Sequence, residues 1–436
     1  MNVAASGQFP LARTRSTQWA APLATVCGLL LVAATAEIVI DAAVGHSILI
    51  PKQPPIAGWL SGIGERLGYR VFLIALLAFT AGYAGLIALG RSVSKRFAIA
   101  LLAALHALIF VGPILLSTDV FSYIAYARMG VQHGLNPYVH GPLSIAHDPV
   151  YHYVGQDWKK VATAYGPIYT LISYPFGLLG VTGALWGMKL LAVLASAGTL
   201  ALTWRCARVR GRDPVSATLL VGANPLYVVY GLGGAHNDLI MLLLMMGAVA
   251  LTFAGRDAPA SAAVVAGALV KATVAALLPF MLLARRSLAQ VWGALATLVL
   301  GALFAYAVFG ADGVNVVAAL NRDAAFVSTD SFPNELAHLV GKPGVFPVDH
   351  DLLKVALVVI IVHLLWRTWR GYDWVAASGW ALLAISVTST WLLAWYILWP
   401  LPLAVIARDR RLLIATLAVQ GLFVVHQLTP LLVPVG

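Results

Sequence analysis

The chain has 436 residues, of which 61% are apolar and only 10% are charged, and its mean hydropathy is +0.87. This composition excludes a soluble globular protein and indicates a membrane protein with several spanning segments. The formal net charge of +11 arises from Lys and Arg clusters between apolar runs, a pattern typical of cytoplasmic membrane loops, so it does not indicate binding to nucleic acid.

Several apolar runs are long enough to be predicted as membrane-spanning helices, because about 20 helical residues cross the hydrocarbon layer. The first run follows Arg13 and Arg15 and has no cleavage site, so we expect a spanning helix and not a signal peptide. We therefore predict an all-α polytopic membrane protein with one integral membrane domain over residues 1–436. The predicted spans are 19–44, 69–90, 97–116, 183–204, 213–232, 237–254, 288–309, 351–366, 373–389, 391–407 and 412–430.

Two further apolar segments do not fit a complete crossing of the membrane. Loops rich in Lys and Arg should all lie on the cytoplasmic side of the membrane. The segment between two such loops must therefore cross the membrane an even number of times, and a segment from an outer loop to a basic loop must cross it an odd number of times. Segment 165–180 must then enter and leave on the same side, as a re-entrant or interfacial piece. Segment 259–284 must cross an even number of times, and we predict two short half-helices with Lys271 near their junction.

The same topology predicts which side of the membrane carries the functional groups. The N terminus is expected in the cytoplasm, and the segments 117–182 and 310–350 are expected outside the cytoplasmic membrane. These two segments contain most of the His, Asp, Asn and Tyr residues. We therefore expect the active face of the protein on the outer side.

The first outer segment begins with a carboxylate, Asp119, at the point where an apolar helix ends. The residues that follow predict a short interface helix up to Gly130, and Gly-Pro and Asn-Pro pairs then predict tight turns. A carboxylate at the edge of the lipid is costly unless it caps a helix or has a function. Position alone leaves both explanations open, and helix capping is the more ordinary of the two.

A second polar group lies in "GLGGAHNDLIMLL", residues 231–243, at the outer junction of two predicted spans. Its glycines permit an unusual turn, and His236, Asn237 and Asp238 stand at the mouth of the next helix. Asn237 or Asp238 could simply cap that helix. His236 has no partner at metal-ligand spacing, so no metal site is predicted.

Four basic residues could hold a phosphate group. Lys271 is predicted to be buried among apolar residues, where it would either contact a lipid phosphate or act as a structural lysine bonded to carbonyl groups. Arg128, Lys159 and Lys160 lie in the first outer segment. Each of these three, taken alone, is more ordinary as a solvated charge.

The segment "TSTWLLAWYILWPLPLA", residues 388–404, spaces Trp391, Trp395 and Trp399 four residues apart, which predicts one face of one helix. Aromatic rings stack on sugars and line prenyl chains, but they are also common at membrane interfaces. The interface explains Trp391 best. Trp395 and Tyr396 are predicted to lie deeper and are candidates for contact with a substrate.

The chain shows a family resemblance. It rests on the order of five short motifs: "STDVFSY", "GLNPYVHGP", "YGPIY", "GGAHND" and "WLLAWYILWPLPLA". Over most of its length the chain resembles the actinobacterial polyprenol-phosphomannose-dependent α-1,6-mannosyltransferases of the GT-C superfamily. The resemblance implies a GT-C-type bundle of about thirteen transmembrane helices with interface helices in the outer loops. It also implies a polyprenyl-phosphate sugar, expected to be mannose, as the donor. No cofactor or metal is implied, because such a donor carries a monophosphate.

The resemblance also implies roles for individual residues. Asp119 would be the catalytic base that takes a proton from the acceptor hydroxyl while the lipid phosphate departs with inversion. The acceptor would be a glycolipid or an oligomannoside. The candidates for binding the donor phosphate are Arg128, Lys271, Lys159 and Lys160. The candidates for contact with the substrates are Tyr123, Asn136, Tyr138, Tyr165, His236, Asn237, Asp238, Trp395 and Tyr396.

Other functions fit parts of the same pattern. Re-entrant helices and an intramembrane lysine also occur in transporters, so a flippase for polyprenyl-linked glycans is the main alternative. Against it, no internal repeat is evident, and the polar residues concentrate in the outer loops. Another outer-face transferase that moves a glycan or phosphoglycan between lipids is also possible, and a structural scaffold fits least well.

Overall fold

The computed structural model describes residues 19–43 and 68–432, and every regular element in these ranges is a helix. The predicted all-α class is therefore confirmed. Arg13 and Arg15, on which part of the predicted topology depends, lie outside the described residues.

The described residues form seventeen α-helices, numbered in chain order. They are α1 (Ala20–Ala43), α2 (Tyr69–Leu89), α3 (Lys95–Val111), α4 (Asp119–His133), α5 (Pro167–Gly177), α6 (Val181–Val209), α7 (Pro214–Gly222), α8 (Asp238–Phe253), α9 (Asp257–Ala268), α10 (Leu277–Arg285), α11 (Leu288–Phe309), α12 (Asn315–Asp323), α13 (Phe332–Leu339), α14 (Pro347–Trp369), α15 (Trp374–Thr388), α16 (Leu401–Ile406) and α17 (Arg410–Leu432). Short 3₁₀-helices occupy Gly90–Ser92, Pro142–Ile145, Pro149–His152, Gln156–Trp158, Ala272–Ala276, Gly310–Val314 and Ala394–Leu398, and Leu226–Leu232 is π-helical.

Length and composition mark five helical segments of the described chain as able to cross a membrane. They are α1, α2, α6, the continuous segment from α11 into α12, and α17. A sixth is obtained if α7 and the π-helical turn, bent by 49°, count as one span. The protein is therefore a multi-pass membrane protein. The count is below the thirteen implied by the resemblance, because helices such as α8 and α15 have only 16 and 15 residues.

The predicted half-helices over 259–284 are confirmed. α9 ends at Ala268, α10 begins at Leu277, and Lys271 lies between them in an extended conformation. The predicted re-entrant piece over 165–180 contains α5, whose 11 residues span about 16 Å and are too short to cross a bilayer.

The prediction of a single helix over 391–407 is wrong. The chain forms a 3₁₀-helix over Ala394–Leu398 and the short helix α16, with Pro400 between them. Proline lacks an N–H group and its ring clashes with the preceding turn, so Pro400 favours a break at this position. Trp391, Trp395 and Trp399 all precede Pro400. They do not share one α-helix face, because Leu393 is extended, with φ of −114° and ψ of 148°, and a 3₁₀-helix follows it. This corrects the expectation from their spacing.

The predicted helix after Asp119 is present as α4, and it ends at Gly134 in a left-handed conformation with φ of 63°. All residues of α4 from Val120 to Met129 are buried. The helix is therefore enclosed by the protein, whereas an amphipathic interface helix would leave one face exposed. Some of its polar side chains bind other parts of the chain, and the Tyr126 hydroxyl donates to the Val161 carbonyl at 2.8 Å.

One large hydrophobic core holds most of these helices together. It contains residues from Ala24 in α1 to Leu428 in α17, and it includes the buried face of α4. The start of the segment 117–182 is thus packed onto the helix bundle and not suspended from it. This packing fixes the position of Asp119 relative to distant parts of the chain.

Candidate active site

A cavity of about 240 Å³ lies between the N terminus of α4 and the break between α9 and α10. Asp119, Asn237 and Lys271 line it together with Ser122. Much of the remaining wall is aromatic and includes Tyr123, Tyr126, Trp158, Tyr165, Trp391, Tyr396 and Trp399. A concave site with a few polar groups among aromatic rings is the usual form of a small-ligand site.

Two strained turns bring Asp119 and Asn237 into the same cavity. The Leu115 N–H donates to the Gly233 carbonyl at 2.9 Å, which ties the two segments together. Leu116 and Ala235 then have φ values of 58° and 50°, and in the described chain only one other non-glycine residue has a positive φ. Such backbone is costly for a residue with a Cβ atom and concentrates at functional sites.

Asp119 is the first residue of α4, and its side chain is 16% exposed. One carboxylate oxygen lies 3.6 Å from His236 Nδ1. The N-cap position belongs to Thr118, so the capping explanation does not apply to Asp119 itself. Burial raises the pKa of Asp119 to about 6, and the charge of Asp238 acts in the same direction, whereas Lys271 opposes the shift. The site thus holds a carboxylate that titrates close to neutral pH.

His236 lies behind the cavity and supports its wall. Its ring stacks on Trp395 with centroids 3.5 Å apart, and Nδ1 lies 3.5 Å from the Tyr123 hydroxyl. Burial and the charge of Lys271 hold the pKa of His236 well below its usual value, so the ring is neutral. The predicted substrate contacts His236 and Trp395 are therefore placed beneath the cavity lining and not in it.

Two buried polar groups of the cavity wall lack partners. Among the described residues, neither Ser122 Oγ nor Asn237 Nδ2 has a hydrogen-bond partner. Asn237 Oδ1 accepts a long hydrogen bond of 3.5 Å from Tyr123. An unpaired buried donor costs folding free energy, so these groups are suited to a ligand that carries hydroxyl groups.

Lys271 is held in a polar and aromatic setting. Its Nζ lies 2.8 Å from both carboxylate oxygens of Asp238, and the Trp399 indole N–H donates to the same carboxylate at 2.6 Å. The Tyr396 ring centroid is 4.2 Å from Nζ. Asp238 is therefore the counter-ion of the half-buried Lys271. This pairing replaces the explanation of Asp238 as a helix cap and of Lys271 as a lysine bonded to carbonyl groups. The ammonium group is fixed at the cavity wall.

The loop that carries Lys271 is docked by Gly166. The N–H groups of Gly166 and Ile168 donate to the carbonyls of Val270 and Leu269 at 3.2 and 3.0 Å. A Cβ atom on Gly166 would lie 2.1 Å from the Leu269 carbonyl oxygen, so only glycine permits this approach. The contact places the preceding residue, Tyr165, beside Lys271 in the cavity wall.

Asn136 and Tyr138 are placed outside the cavity lining. The Tyr138 hydroxyl donates to the Tyr165 carbonyl at 2.8 Å, and Asn136 Nδ2 donates to the Phe309 carbonyl at 2.8 Å. The "NPY" turn thus positions Tyr165 and anchors the end of α11. Neither of these two predicted substrate contacts lines the cavity.

The other three predicted phosphate-binding cations also lie elsewhere. Arg128 binds the Asp148 carboxylate at 2.8 and 3.0 Å and the Leu179 carbonyl at 2.8 Å. Lys159 lies 4.4 Å from the centroid of the Tyr151 ring, and Lys160 is exposed. Of the described residues that line the cavity, Lys271 is the one with a positive charge.

We expect Arg128→Gln to destabilise the protein. The Arg128 and Asp148 side chains are only 8% and 2% exposed, and removing Arg128 leaves the buried Asp148 carboxylate with only His133 and the Val150 N–H as partners. A broken pair of this kind costs about 3–5 kcal/mol. Thermal unfolding in detergent should show this loss, with Lys159→Gln as the control. A variant of normal stability that binds donor poorly would instead indicate a direct role of Arg128 in phosphate binding.

Sequence reasoning missed several residues of the cavity wall. Ser122 stands three residues after Asp119, so helical spacing could have revealed it on the same face. Trp391 was explained as an interface residue, yet it lines the cavity and lies 6.2 Å from Trp158 between ring centroids. No spacing signal connects Trp158 with Trp391, because they are more than 200 residues apart.

Comparisons with known proteins find similarity over most of the chain. Residues 18–287 match the family model described as alpha-(1→6)-mannopyranosyltransferase, N-terminal domain, and residues 349–430 match the MptB C-terminal domain. Alpha-(1→6)-mannopyranosyltransferase A of Mycobacterium tuberculosis is 27% identical over 388 residues, which cover 81% of this chain and 75% of that protein. The protein of the same name from Corynebacterium glutamicum is 28% identical over 244 residues, or 55% and 48% of the two chains. Alpha-(1→6)-mannopyranosyltransferase B of C. glutamicum is 27% identical over 159 residues, or 34% and 26%.

Proposed function

Because the chain belongs to the alpha-(1→6)-mannopyranosyltransferase family, we propose that it transfers mannose from a polyprenyl-phosphate donor to a glycolipid or oligomannoside acceptor. The observation that carries this proposal is the placement of Asp119 and Lys271 in the wall of one cavity. A carboxylate can activate an acceptor hydroxyl, and an ammonium group can stabilise a departing phosphate. The two groups therefore match the two ends of a glycosyl transfer.

Asp119 is the proposed general base. Its carboxylate accepts the proton of the acceptor hydroxyl while that oxygen forms a bond to the anomeric carbon of the donor. The bond between the anomeric carbon and the phosphate oxygen breaks, and the phosphate leaves with the electron pair. Attack opposite the leaving group inverts the anomeric carbon. An α-linked product, as in the names of the relatives, therefore requires a β-linked donor.

Lys271 is the proposed phosphate-binding group. The leaving phosphate gains negative charge as the bond breaks, and a preorganised ammonium group stabilises this charge most in a low-dielectric site. Asp238 compensates the lysine before the donor binds, since a buried cation is costly without a partner. Tyr396 and Trp399 restrict the position of Nζ, so the lysine needs little reorganisation during the reaction.

The remaining wall suits a sugar. Ser122 Oγ and Asn237 Nδ2 supply polar groups that a mannose hydroxyl can satisfy. The rings of Trp158, Trp391 and Tyr396 supply apolar faces against which a pyranose or a prenyl chain can pack. We propose that these residues bind the substrates and that His236 and Trp395 keep the wall in place.

We further propose that the reaction takes place on the outer face of the cytoplasmic membrane, with the N terminus in the cytoplasm. The charge pattern supports this orientation, because Arg clusters such as Arg205 to Arg212 follow the predicted cytoplasmic ends of spanning helices. The chain would act as one membrane domain. The membrane around it would supply both the lipid donor and the acceptor.

The proposed base predicts how transfer depends on pH. With a pKa of about 6, Asp119 is protonated and inactive at lower pH and ionised at higher pH. We expect kcat/KM for the acceptor to rise about tenfold per pH unit up to about pH 6 and then to level off. His236 should not contribute near this pH, because its pKa lies well below the usual value. A profile that stays flat to about pH 4.5 with folded protein would contradict the assignment.

The activity itself is tested by mannosyl transfer with purified full-length protein in detergent. Polyprenyl-phosphate mannose would be the donor, a short α-mannoside the acceptor, and EDTA would be present throughout. We expect a new α-(1→6)-linked mannose on the acceptor. No transfer with this donor or with other polyprenyl-phosphate sugars, together with movement of the lipid across vesicle membranes, would favour the flippase alternative.

A further inference from the structure

A second opening lies at the other end of α15 from the cavity. Ile385, near the C-terminal end of this helix, lines the cavity, whereas Asp373, just before the helix, lines the second opening. Twelve residues of helix separate these positions, which corresponds to about 18 Å. The second opening is therefore remote from the proposed transfer reaction and does not depend on it.

We call this opening the basic pocket. It has a volume of about 530 Å³, and its charged lining residues are Arg367, Arg408, Arg411, Asp373 and Asp409. With three arginines against two aspartates, the lining has a net positive charge. Guanidinium groups bind phosphate with paired hydrogen bonds, so this lining is suited to an anionic phosphate ester.

Both carboxylates of the basic pocket already have partners. Asp373 pairs with Arg210, outside the lining, and accepts from the backbone N–H of Arg408 at 2.9 Å. Asp409 accepts from the Tyr372 hydroxyl and from the Trp380 indole N–H, the latter at 3.1 Å. Arg210 thus balances the charge of Asp373, and the hydrogen bonds of Asp409 hold that carboxylate against the pocket wall.

An apolar groove continues from the basic pocket between α14, α15 and α17. It has a volume of about 540 Å³ and is lined by residues such as Val359, Val387 and Val419. The groove and the basic pocket share Arg367 and Trp380, so they form one continuous surface. A charged end joined to an apolar channel matches a molecule with an anionic head and a hydrocarbon chain.

The position of this surface fits the edge of a membrane. Trp366 and Trp369 in the last turn of α14 are 53% and 56% exposed, and such tryptophans mark the level of the lipid head groups. From Val359 to Arg367 the groove follows about 12 Å of helix, which is less than half of the roughly 30 Å hydrocarbon thickness. The groove therefore lies within one leaflet.

We infer that the basic pocket and the apolar groove together bind one anionic phospholipid. The phosphate contacts the guanidinium groups of Arg367, Arg408 and Arg411, and one acyl chain lies in the groove. Arg367 is held over the Tyr372 ring, with its guanidinium carbon 3.8 Å from the ring centroid, so its position is partly fixed before the lipid binds. Basic pockets between membrane helices bind anionic head groups through this combination of charge and shape.

The test is lipid binding by the full-length protein in detergent, measured by native mass spectrometry. Delipidated protein would be titrated with phosphatidylglycerol, with phosphatidylcholine and with a polyprenyl phosphate. We expect one phosphatidylglycerol molecule to bind at least tenfold more tightly than phosphatidylcholine. Equal binding of these two lipids would overturn the inference, because a lipid that only coats the protein shows no such preference. Tighter binding of the polyprenyl phosphate would overturn the assignment to a phospholipid.

Two variants test the two halves of the site separately. Arg367→Gln/Arg408→Gln should weaken phosphatidylglycerol binding by about fivefold for each arginine removed. Ala384→Phe places a ring in the groove without a change of charge and should also weaken binding. Arg208→Gln, at an exposed arginine in the last turn of α6, is the matched control. Unchanged binding by both pocket variants, with melting temperatures equal to wild type, would contradict the site.

Discussion

Replacement of Asp119 with Asn is expected to reduce mannosyl transfer by about 10²–10⁴-fold, the usual contribution of a general base. Asn keeps the shape of the side chain but cannot accept a proton from the acceptor hydroxyl. Initial rates with saturating donor and acceptor would measure the loss. Binding of the donor should change little, because Lys271 and the aromatic wall are intact in this variant. Asp157→Asn, at an exposed carboxylate between α4 and α5, is the matched control.

The stability of the Asp119→Asn variant distinguishes a functional carboxylate from a structural one. Because the pKa is raised to about 6 in the folded protein, the ionised carboxylate lowers folded stability above pH 6, and this cost disappears below about pH 4. A two-unit shift corresponds to a cost on the order of 3 kcal/mol. The variant should therefore melt at the same or a higher temperature at pH 7.5. Undiminished transfer, or a large fall in melting temperature, would contradict the role of Asp119 as base.

The second large effect is expected at Lys271. Lys271→Met removes the cationic group of the cavity wall and should reduce transfer by about 10²–10³-fold, as for other groups that stabilise developing charge. The variant also leaves Asp238, which is 1% exposed, without its counter-ion. Breaking such a buried pair costs about 3–5 kcal/mol, so the melting temperature should fall as well. The single variant alone cannot separate the two causes of lost activity.

The double variant Lys271→Met/Asp238→Asn separates them. Asn at position 238 removes the unpaired charge and can still accept the hydrogen bond from Trp399. We expect the melting temperature to recover towards that of wild type while transfer stays low, because the phosphate still has no cation. If transfer recovers together with stability, Lys271 serves only to neutralise Asp238. Lys159→Met, outside the cavity lining, should leave both measurements unchanged.

The sequence by itself was sufficient for the class of the protein and for several local features. The apolar composition predicts a helical membrane protein. The basic loops on both sides of 259–284 require an even number of membrane crossings between them, and this requirement predicts the half-helices on either side of Lys271. The polar start of α4 at Asp119 and the turn at Gly166 are also readable from the sequence, since each depends on neighbouring residues. Local features of this kind follow from backbone sterics and from the cost of burying charge in lipid.

The tertiary structure alone decided which of the candidate residues meet. Arg128, Lys159, Lys160 and Lys271 were all candidates for phosphate binding in the sequence, but packing pairs Arg128 with Asp148 and, of these four, places only Lys271 in the cavity lining. The spacing of the tryptophans likewise predicted one helix face, but the extended backbone at Leu393 and the 3₁₀-helix after it remove that face.

The physical reason is that short-range contacts join segments far apart in the chain. Asp238 and Trp399 are 161 positions apart and share a hydrogen bond of 2.6 Å. Tyr123 and Asn237 are 114 positions apart and meet across the cavity wall. The periodicity of a sequence reports the environment of each helix face, whereas hydrogen bonds and buried ion pairs depend on distances of a few ångströms that only the packing of the helices determines.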